Sequence, residues 1–168
     1  MEMKQVEYPR YRWTILVLLF VGTTILYYNR MVFSVTAAYL MESLEINETQ
    51  YGYGATAFQF AYMVGFLIAG RVIDLLGTRT GLSLSMLLWS LAGGFTAICV
   101  GPISLCLCRG GLGLTQACHF PGAIKAVAEW FPARQRAFAT SLFNSGPSLA
   151  NMTAGLIVLG IILKNTFE

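Results

Sequence analysis

The sequence predicts an all-α membrane protein of about five transmembrane helices. Three observations carry that reading. Of the 168 residues, 56% are hydrophobic and only 11% charged, against roughly 25% charged in ordinary soluble domains. Mean hydropathy is +0.63. Long uncharged stretches cover 13–29, 31–41, 49–70, 80–108, 110–124 and 137–163, and a bilayer crossing needs only ~20 apolar residues.

The elements follow in chain order. Residues 1–12 carry Lys4, Arg10 and Arg12 and read as a cytoplasmic N-terminal segment. The first helix is expected over 13–41, because Arg30 interrupts the apolar run with no turn residue beside it. Its apolar core is too long for a signal peptide, and further spans follow. A second helix is expected over 51–73. The run 80–108 is too long for one span, and Gly101-Pro102 divides it, since proline breaks helices. That division predicts a third helix over 81–100 and a fourth over 103–129, with Pro121 kinking the fourth. A fifth is expected over 136–163. Residues 13–168 thus form one helical bundle.

Lysine and arginine placement sets the orientation. Arg71 and Arg79 fall in the second loop and Arg134 and Arg136 in the fourth, on the same side as the N-terminus. The loop 42–50 holds three glutamates and no basic residue. The N-terminus is therefore expected in the cytoplasm. Lys125, near that side, is expected to snorkel.

Several function classes fall away. The basic residues form no stripe with aromatics, so nucleic acid is not an expected partner. There is one histidine, no acid pair near it, and no phosphate-cradling loop; neither an enzyme nor a cofactor is expected. Cys99, Cys106, Cys108 and Cys118 lie in apolar runs. Cys106 and Cys108, two apart, point in different directions on a helix, so packing rather than a disulfide or metal site is expected. Gly65 with Gly70, Gly93-Gly94, and Gly110-Gly111 with Gly113 offer small surfaces for close helix approach. Asn47-Glu-Thr matches a glycosylation sequon of a kind that arises often by chance.

Arginine inside a bilayer is costly and by default a functional-site hypothesis. Arg30 lies ~26 Å along its helix from the cytoplasmic end and Arg109 ~9 Å in from the outer end. A moderate tilt brings both to nearly the same height. None of the eight acidic residues belongs to the interior of a span. A carboxylate substrate would supply the missing partner, matched by the guanidinium fork. Tyr27 shares the Arg30 face, and Arg109, Gly113, Gln116 and Phe120 share another. His119 lies about 80° off that face and reads first as a hydrogen-bonded packing residue, second as a coupling group. Asn144, Ser145 and Asn151 offer polar groups on the fifth helix for sugar hydroxyls or for neighbouring helices.

The stretch Gly70-Arg-Val-Ile-Asp74-Leu-Leu-Gly77-Thr-Arg79 resembles the signature loop of the major facilitator superfamily, and Arg109-x-x-x-Gly113-x-x-x-Ala117 is similar to its fourth-helix motif. Within it the chain looks like the anion:cation symporter family, most like its hexuronate transporters. The residues are Tyr27-x-x-Arg30, Leu40-Met-Glu-Ser-Leu-Glu-Ile46, Asp74-Leu-Leu-Gly-Thr78, Glu129-Trp-Phe-Pro-Ala133 with Arg136, and Phe143-Asn-Ser-Gly146. The resemblance implies import of sugar-acid anions, such as galacturonate and glucuronate, with a cation through a bacterial inner membrane. It marks Tyr27, Arg30, Tyr62, Arg109 and Asn144 as substrate contacts, and Gly70, Asp74, Gly77 and Arg79 as a conformational loop. Relatives often carry an aspartate just before the first-helix arginine and a glutamate seven residues after the fourth-helix arginine. Asn29 and Gln116 stand there, so Asn29, Gln116 and His119 become the coupling positions to watch. Family members have two six-helix halves; five spans correspond to most of the N-terminal half, and a C-terminal half is an expected partner. Gly146-Pro147 also resembles part of a drug-antiporter motif. A non-transporting membrane interaction protein is the third reading.

Overall fold

The computed structural model describes residues 10–154. Its secondary structure there is helical: α1 (Tyr11–Val35), α2 (Ala37–Ser43), α3 (Glu48–Leu76), α4 (Thr78–Thr96), α5 (Pro102–Gln116), α6 (His119–Trp130) and α7 (Ala133–Asn144), with helical backbone again over 146–154. The described residues are all-α, as expected. Two of these helices, α1 and α3, are each long and apolar enough to cross a bilayer.

The helices break where local chemistry competes with the backbone ladder. The helix expected over 13–41 is divided at Thr36, whose backbone sits at φ −85°, ψ 10°. Its hydroxyl donates to the Val32 carbonyl at 2.7 Å, a back-bond that tends to bend helices. The helix expected over 103–129 is interrupted at Ala117 and Cys118. Pro121 has no N–H for the carbonyl four residues back, so the break falls where that bond is missing. Similarly, the fifth helix turns at Ser145, two residues before Pro147; its expected continuation over 155–163 and the N-terminal 1–9 lie outside the described residues. The third helix is shifted toward the N-terminus and ends at Thr96 rather than 100. Gly77 separates α3 from α4 at φ 77°, ψ 159°, a region open essentially to glycine alone.

The second helix begins earlier than expected because Asn47 caps it. Asn47 Oδ1 accepts from the Gln50 N–H at 2.8 Å, and Gln50 Oε1 accepts from the Asn47 N–H at 3.1 Å. This reciprocal box satisfies two otherwise unpaired donors and gives the sequon-like triplet a structural role.

Packing is tightest between α3 and α5, where small residues let backbones meet. A methyl at Gly113 would lie 2.3 Å from the Phe58 carbonyl oxygen, and one at Gly65 would lie 2.8 Å from Ala117 Cβ. Gly70, Gly94 and Gly111 face open space. At one end of the bundle Leu16, Leu19, Val127, Phe131, Ala139 and Phe143 form the main apolar cluster; at the other, Phe33, Ile46 and Leu105 pack together. Phe58, Trp89 and Leu112 lie between. Many large apolar side chains, Leu67 and Leu87 among them, remain exposed, the surface a lipid solvent accepts.

Three contacts gather Arg10, Arg12, the Gly77 loop and the Phe131-Pro132 turn at one end. Trp13 meets Phe131 edge-on at 5.8 Å, Thr78 donates to Glu129 at 2.7 Å, and Lys125 pairs with Asp74 at 2.6 Å. Lys125 does not snorkel freely; its ammonium is held by α3. Arg136 donates to the Phe131 and Ala128 carbonyls at 3.0 and 2.8 Å, satisfying acceptors at the end of α6.

Candidate functional site

Arg30 and Arg109 enter one space from two helices. Both line a cleft of about 210 Å³, together with Phe33, Ala55, Phe58 and Gln59. Arg30 projects from α1, its guanidinium 4.7 Å from the Tyr62 ring centroid, 5.0 Å from Phe58 and 5.2 Å from Tyr27. Three aromatic faces thus surround one cation, each attracting it through the ring quadrupole. Arg30 Nε donates to Gln116 Oε1 at 3.1 Å. Gln116 is fully buried, so this bond fixes the guanidinium through Nε and leaves its terminal nitrogens outside the bond.

Arg109 is only 6% exposed and lies over the Phe33 ring, 3.2 Å from its centroid. That ring is itself held: it stacks on Tyr51 at 4.6 Å, and the Tyr51 hydroxyl donates to the Phe33 carbonyl at 2.9 Å. Arg109 Nε and Gln116 Nε2 are buried donors without a partner among the described residues, each an unmet cost of about 1–3 kcal/mol. Among the described residues neither arginine forms an ion pair; the pair recorded there is Lys125–Asp74. The site is a cationic, aromatic-walled cleft with unmet donors, chemistry that suits an anion with hydroxyls.

Arg109 also lines a larger cavity of about 460 Å³ between α1, α2 and α4, where Asn29 lies. Asn29 packs on Gly93, its Nδ2 3.1 Å from where a methyl would stand. Tyr27 and Tyr62 flank Arg30, whereas Asn144, exposed at the end of α7, lines neither of the two arginine cavities. His119 is buried, its Nε2 3.0 Å from the Thr23 hydroxyl. That hydroxyl also lies 2.8 Å from the Leu19 carbonyl, to which it can donate. Nδ1 is buried and has no partner among the described residues. Within the loop motif, Asp74 holds Lys125 and Gly77 makes the turn, while Gly70 and Arg79 are exposed.

Sequence reasoning missed Phe33, Phe58 and Gln59. Phe33 stands one turn beyond Arg30, and Gln59 is a polar side chain midway through an uncharged span; both offered a signal. Phe58, one apolar residue among many, offered none.

Comparison with known proteins matches the Major Facilitator Superfamily model to residues 19–167. The hexuronate transporter of Escherichia coli K12 is 36% identical over 157 residues, 94% of this chain and 36% of the relative. The galacturonate transporter of Dickeya chrysanthemi is 34% identical over the same share of this chain and 46% of its own. A probable galactarate/D-glucarate transporter of Bacillus subtilis is 35% identical over 83% of this chain and 32% of its own. The chain therefore spans less than half the length of these relatives. Among solved structures, a bacterial homologue of the human lysosomal transporter Spinster, inward-facing and unoccupied, superimposes with a TM-score of 0.81 at 22% identity. That likeness covers 89% of this chain and 31% of the other and shows the fold.

Proposed function

Because the chain belongs to the Major Facilitator Superfamily, we propose that it is the substrate-binding part of a longer transporter for organic-acid anions, with hexuronates such as galacturonate and glucuronate the preferred class. The observation that carries this reading is the pair Arg30 and Arg109 lining one cleft with no acidic residue in its wall. Each guanidinium offers a bidentate fork, and the flanking aromatics offer a surface for the apolar face of a sugar ring. Tyr27 and Tyr62 border the Arg30 side of the site, and Asn144 faces the second half in this reading. Substrate in this superfamily sits between two halves, so transport belongs to the whole protein.

The basic end of the bundle is assigned to the cytoplasm of a bacterial inner membrane and the glutamate-rich 42–48 segment to the outside. The Asp74–Lys125 pair and the Thr78–Glu129 bond make the Gly77 loop a latch between α3, α4 and α6 at the cytoplasmic end. Asn29 and Gln116 are amides that do not titrate, and His119 is turned toward Thr23 rather than into the cleft. Cation coupling therefore depends on the other half or on the substrate's own proton, or is absent altogether. The two arginines lining the cleft favour an anion over the substrates of the antiporter reading; Gly146 itself abuts α1, where a methyl would stand 2.9 Å from Thr24 Oγ1.

The test is uptake of labelled galacturonate by the full-length transporter in proteoliposomes. Arg30→Ala and Arg109→Ala should each abolish it, and neutral galactose should not compete. Near-normal uptake by both variants, or equal competition by the neutral sugar, overturns the proposal.

A further inference from the structure

The four cysteines are not equivalent. Cys106 and Cys118 stand apart on α5 and at its break, but Cys99 and Cys108 meet across the α4–α5 turn. The Cys99 sulfur lies 3.6 Å from the Phe95 carbonyl oxygen and the Cys108 sulfur 3.7 Å from the same oxygen. The two thiols therefore converge on one acceptor. The turn that brings them together is held by Ser104. Its hydroxyl accepts from the Val100 and Gly101 N–H groups, both at 3.1 Å, and donates to the Gly101 carbonyl at 2.8 Å. Both cysteines are half-buried rather than sealed in a core, which leaves them open to a small reagent.

We infer that Cys99 and Cys108 form a dithiol that closes to an intramolecular disulfide, clamping the end of α4 to α5 beside Arg109. Spacing along one helix hides such a pair, because the partners lie on opposite sides of the Gly101-Pro102 turn. The oxidant is a small disulfide. One thiolate of the pair attacks it, forming a mixed disulfide and expelling one thiolate. The second cysteine sulfur then attacks the mixed disulfide, forming the Cys99–Cys108 bond and expelling the other thiolate. The two protons lost by the cysteines are taken up by the expelled thiolates. The small disulfide is reduced to two thiols, and the protein dithiol is oxidised. Closure brings the sulfurs to ~2.05 Å and ties together residues nine apart, so it constrains the hairpin locally and leaves the rest of the bundle free. Under the proposed orientation the pair lies at the outer end, the side on which disulfides persist. The chemistry itself does not depend on that orientation or on transport.

The test treats the chain in membranes with oxidised glutathione, blocks remaining thiols with a maleimide after denaturation, and reads intact mass and peptide links. The expected result is loss of two of the four free thiols, a peptide joining residues 99 and 108, and full reversal by a reductant. Cys99→Ser and Cys108→Ser should each remove the link, whereas Cys106→Ser and Cys118→Ser should keep it. Four reactive thiols after oxidation overturns the inference, as does a stable glutathione adduct without closure or a link through Cys106 or Cys118. In the full-length transporter the same oxidation should slow uronate uptake reversibly in a Cys99- and Cys108-dependent way. A link that forms without slowing uptake upholds the dithiol and counts against the placement of Arg109 in the transport path.

Discussion

Replacing Gly113 by alanine tests the seam on which the site is built. The added methyl would stand 2.3 Å from the Phe58 carbonyl oxygen and 3.1 Å from both the Phe58 carbonyl carbon and the Tyr62 nitrogen, whereas real Cβ contacts essentially never fall under 3.0 Å. All three atoms are backbone, so no side chain can swing aside; α3 and α5 must part. Overpacking of this kind costs typically ~1–3 kcal/mol. Alanine recovers part of that through helix propensity, about 1 kcal/mol. A 2.3 Å approach to immovable backbone puts the overpacking cost at the top of its range, so a net loss of about 2 kcal/mol remains, roughly a 30-fold shift in the unfolding equilibrium. Gly111→Ala is the matched control: nothing lies within 4 Å of its methyl, so only the favourable propensity term survives and the protein should be unchanged or slightly more stable. Reversible unfolding in mixed micelles of rising SDS fraction, followed by circular dichroism, measures both. The reasoning is refuted if Gly113→Ala is as stable as the unsubstituted chain, or if Gly111→Ala is destabilised to the same extent.

Four further outcomes follow from the same contacts. Asp74→Asn with Lys125→Met in a double-mutant cycle should give a coupling of only about 0.2–1 kcal/mol, because the two side chains are 68% and 34% exposed; a much larger value contradicts the exposed geometry. Gln116→Glu places a carboxylate where Arg30 Nε now donates at 3.1 Å. Ionised, it should occupy Arg30 and suppress uronate uptake by the full-length transporter; protonated, it releases the arginine. Initial rates should therefore rise as pH falls in the variant more steeply than in the parent, and parallel pH profiles would disprove the assignment. Thr23→Val should cost about 1–3 kcal/mol in the same micelle assay, since it removes the Thr23 partner of the buried His119 Nε2. Gly77→Ala should lower stability by about 1–3 kcal/mol through its positive φ alone, a loss that Gly77→Asn should match within a factor of two or so.

Hydropathy made the helical architecture legible, and the height of two arginines on separate spans made their meeting in one candidate cleft legible as well. The interruptions at Thr36 and Ser145 were not, because each depends on which hydrogen bond wins locally, and apolar run length carries no record of that. Pro121 announced a kink, yet the break appears near Ala117, where the missing N–H leaves a carbonyl free. Lys125 read as a snorkelling cation because Asp74 is 51 residues away; only the fold makes them neighbours. Phe33 and Phe58 were hidden for a different reason. Bulky apolar residues fill most of this chain, and nothing in their own spacing separates a wall of the cleft from a lipid-facing side chain. The cysteine reading looked along one helix, where Cys106 and Cys108 diverge; the convergence of Cys99 and Cys108 on the Phe95 carbonyl lies across the turn.

The glycine seam between α3 and α5 has a mechanical meaning for any rocking motion of the bundle. Helices whose backbones touch have no compliant side chains between them, so α3 and α5 must travel as one plank. Arg109 rides on that plank, and so do Phe58 and Tyr62, two walls of the aromatic cage. Arg30 rides on α1, a separate lever. A small slide of α1 along the plank would therefore change the distance between the two cations and open or shut the cage around one of them, while every contact within the plank stays as it is. Under the proposed function, the helix pair that looks most like inert scaffolding would serve as the fixed jaw of the clamp.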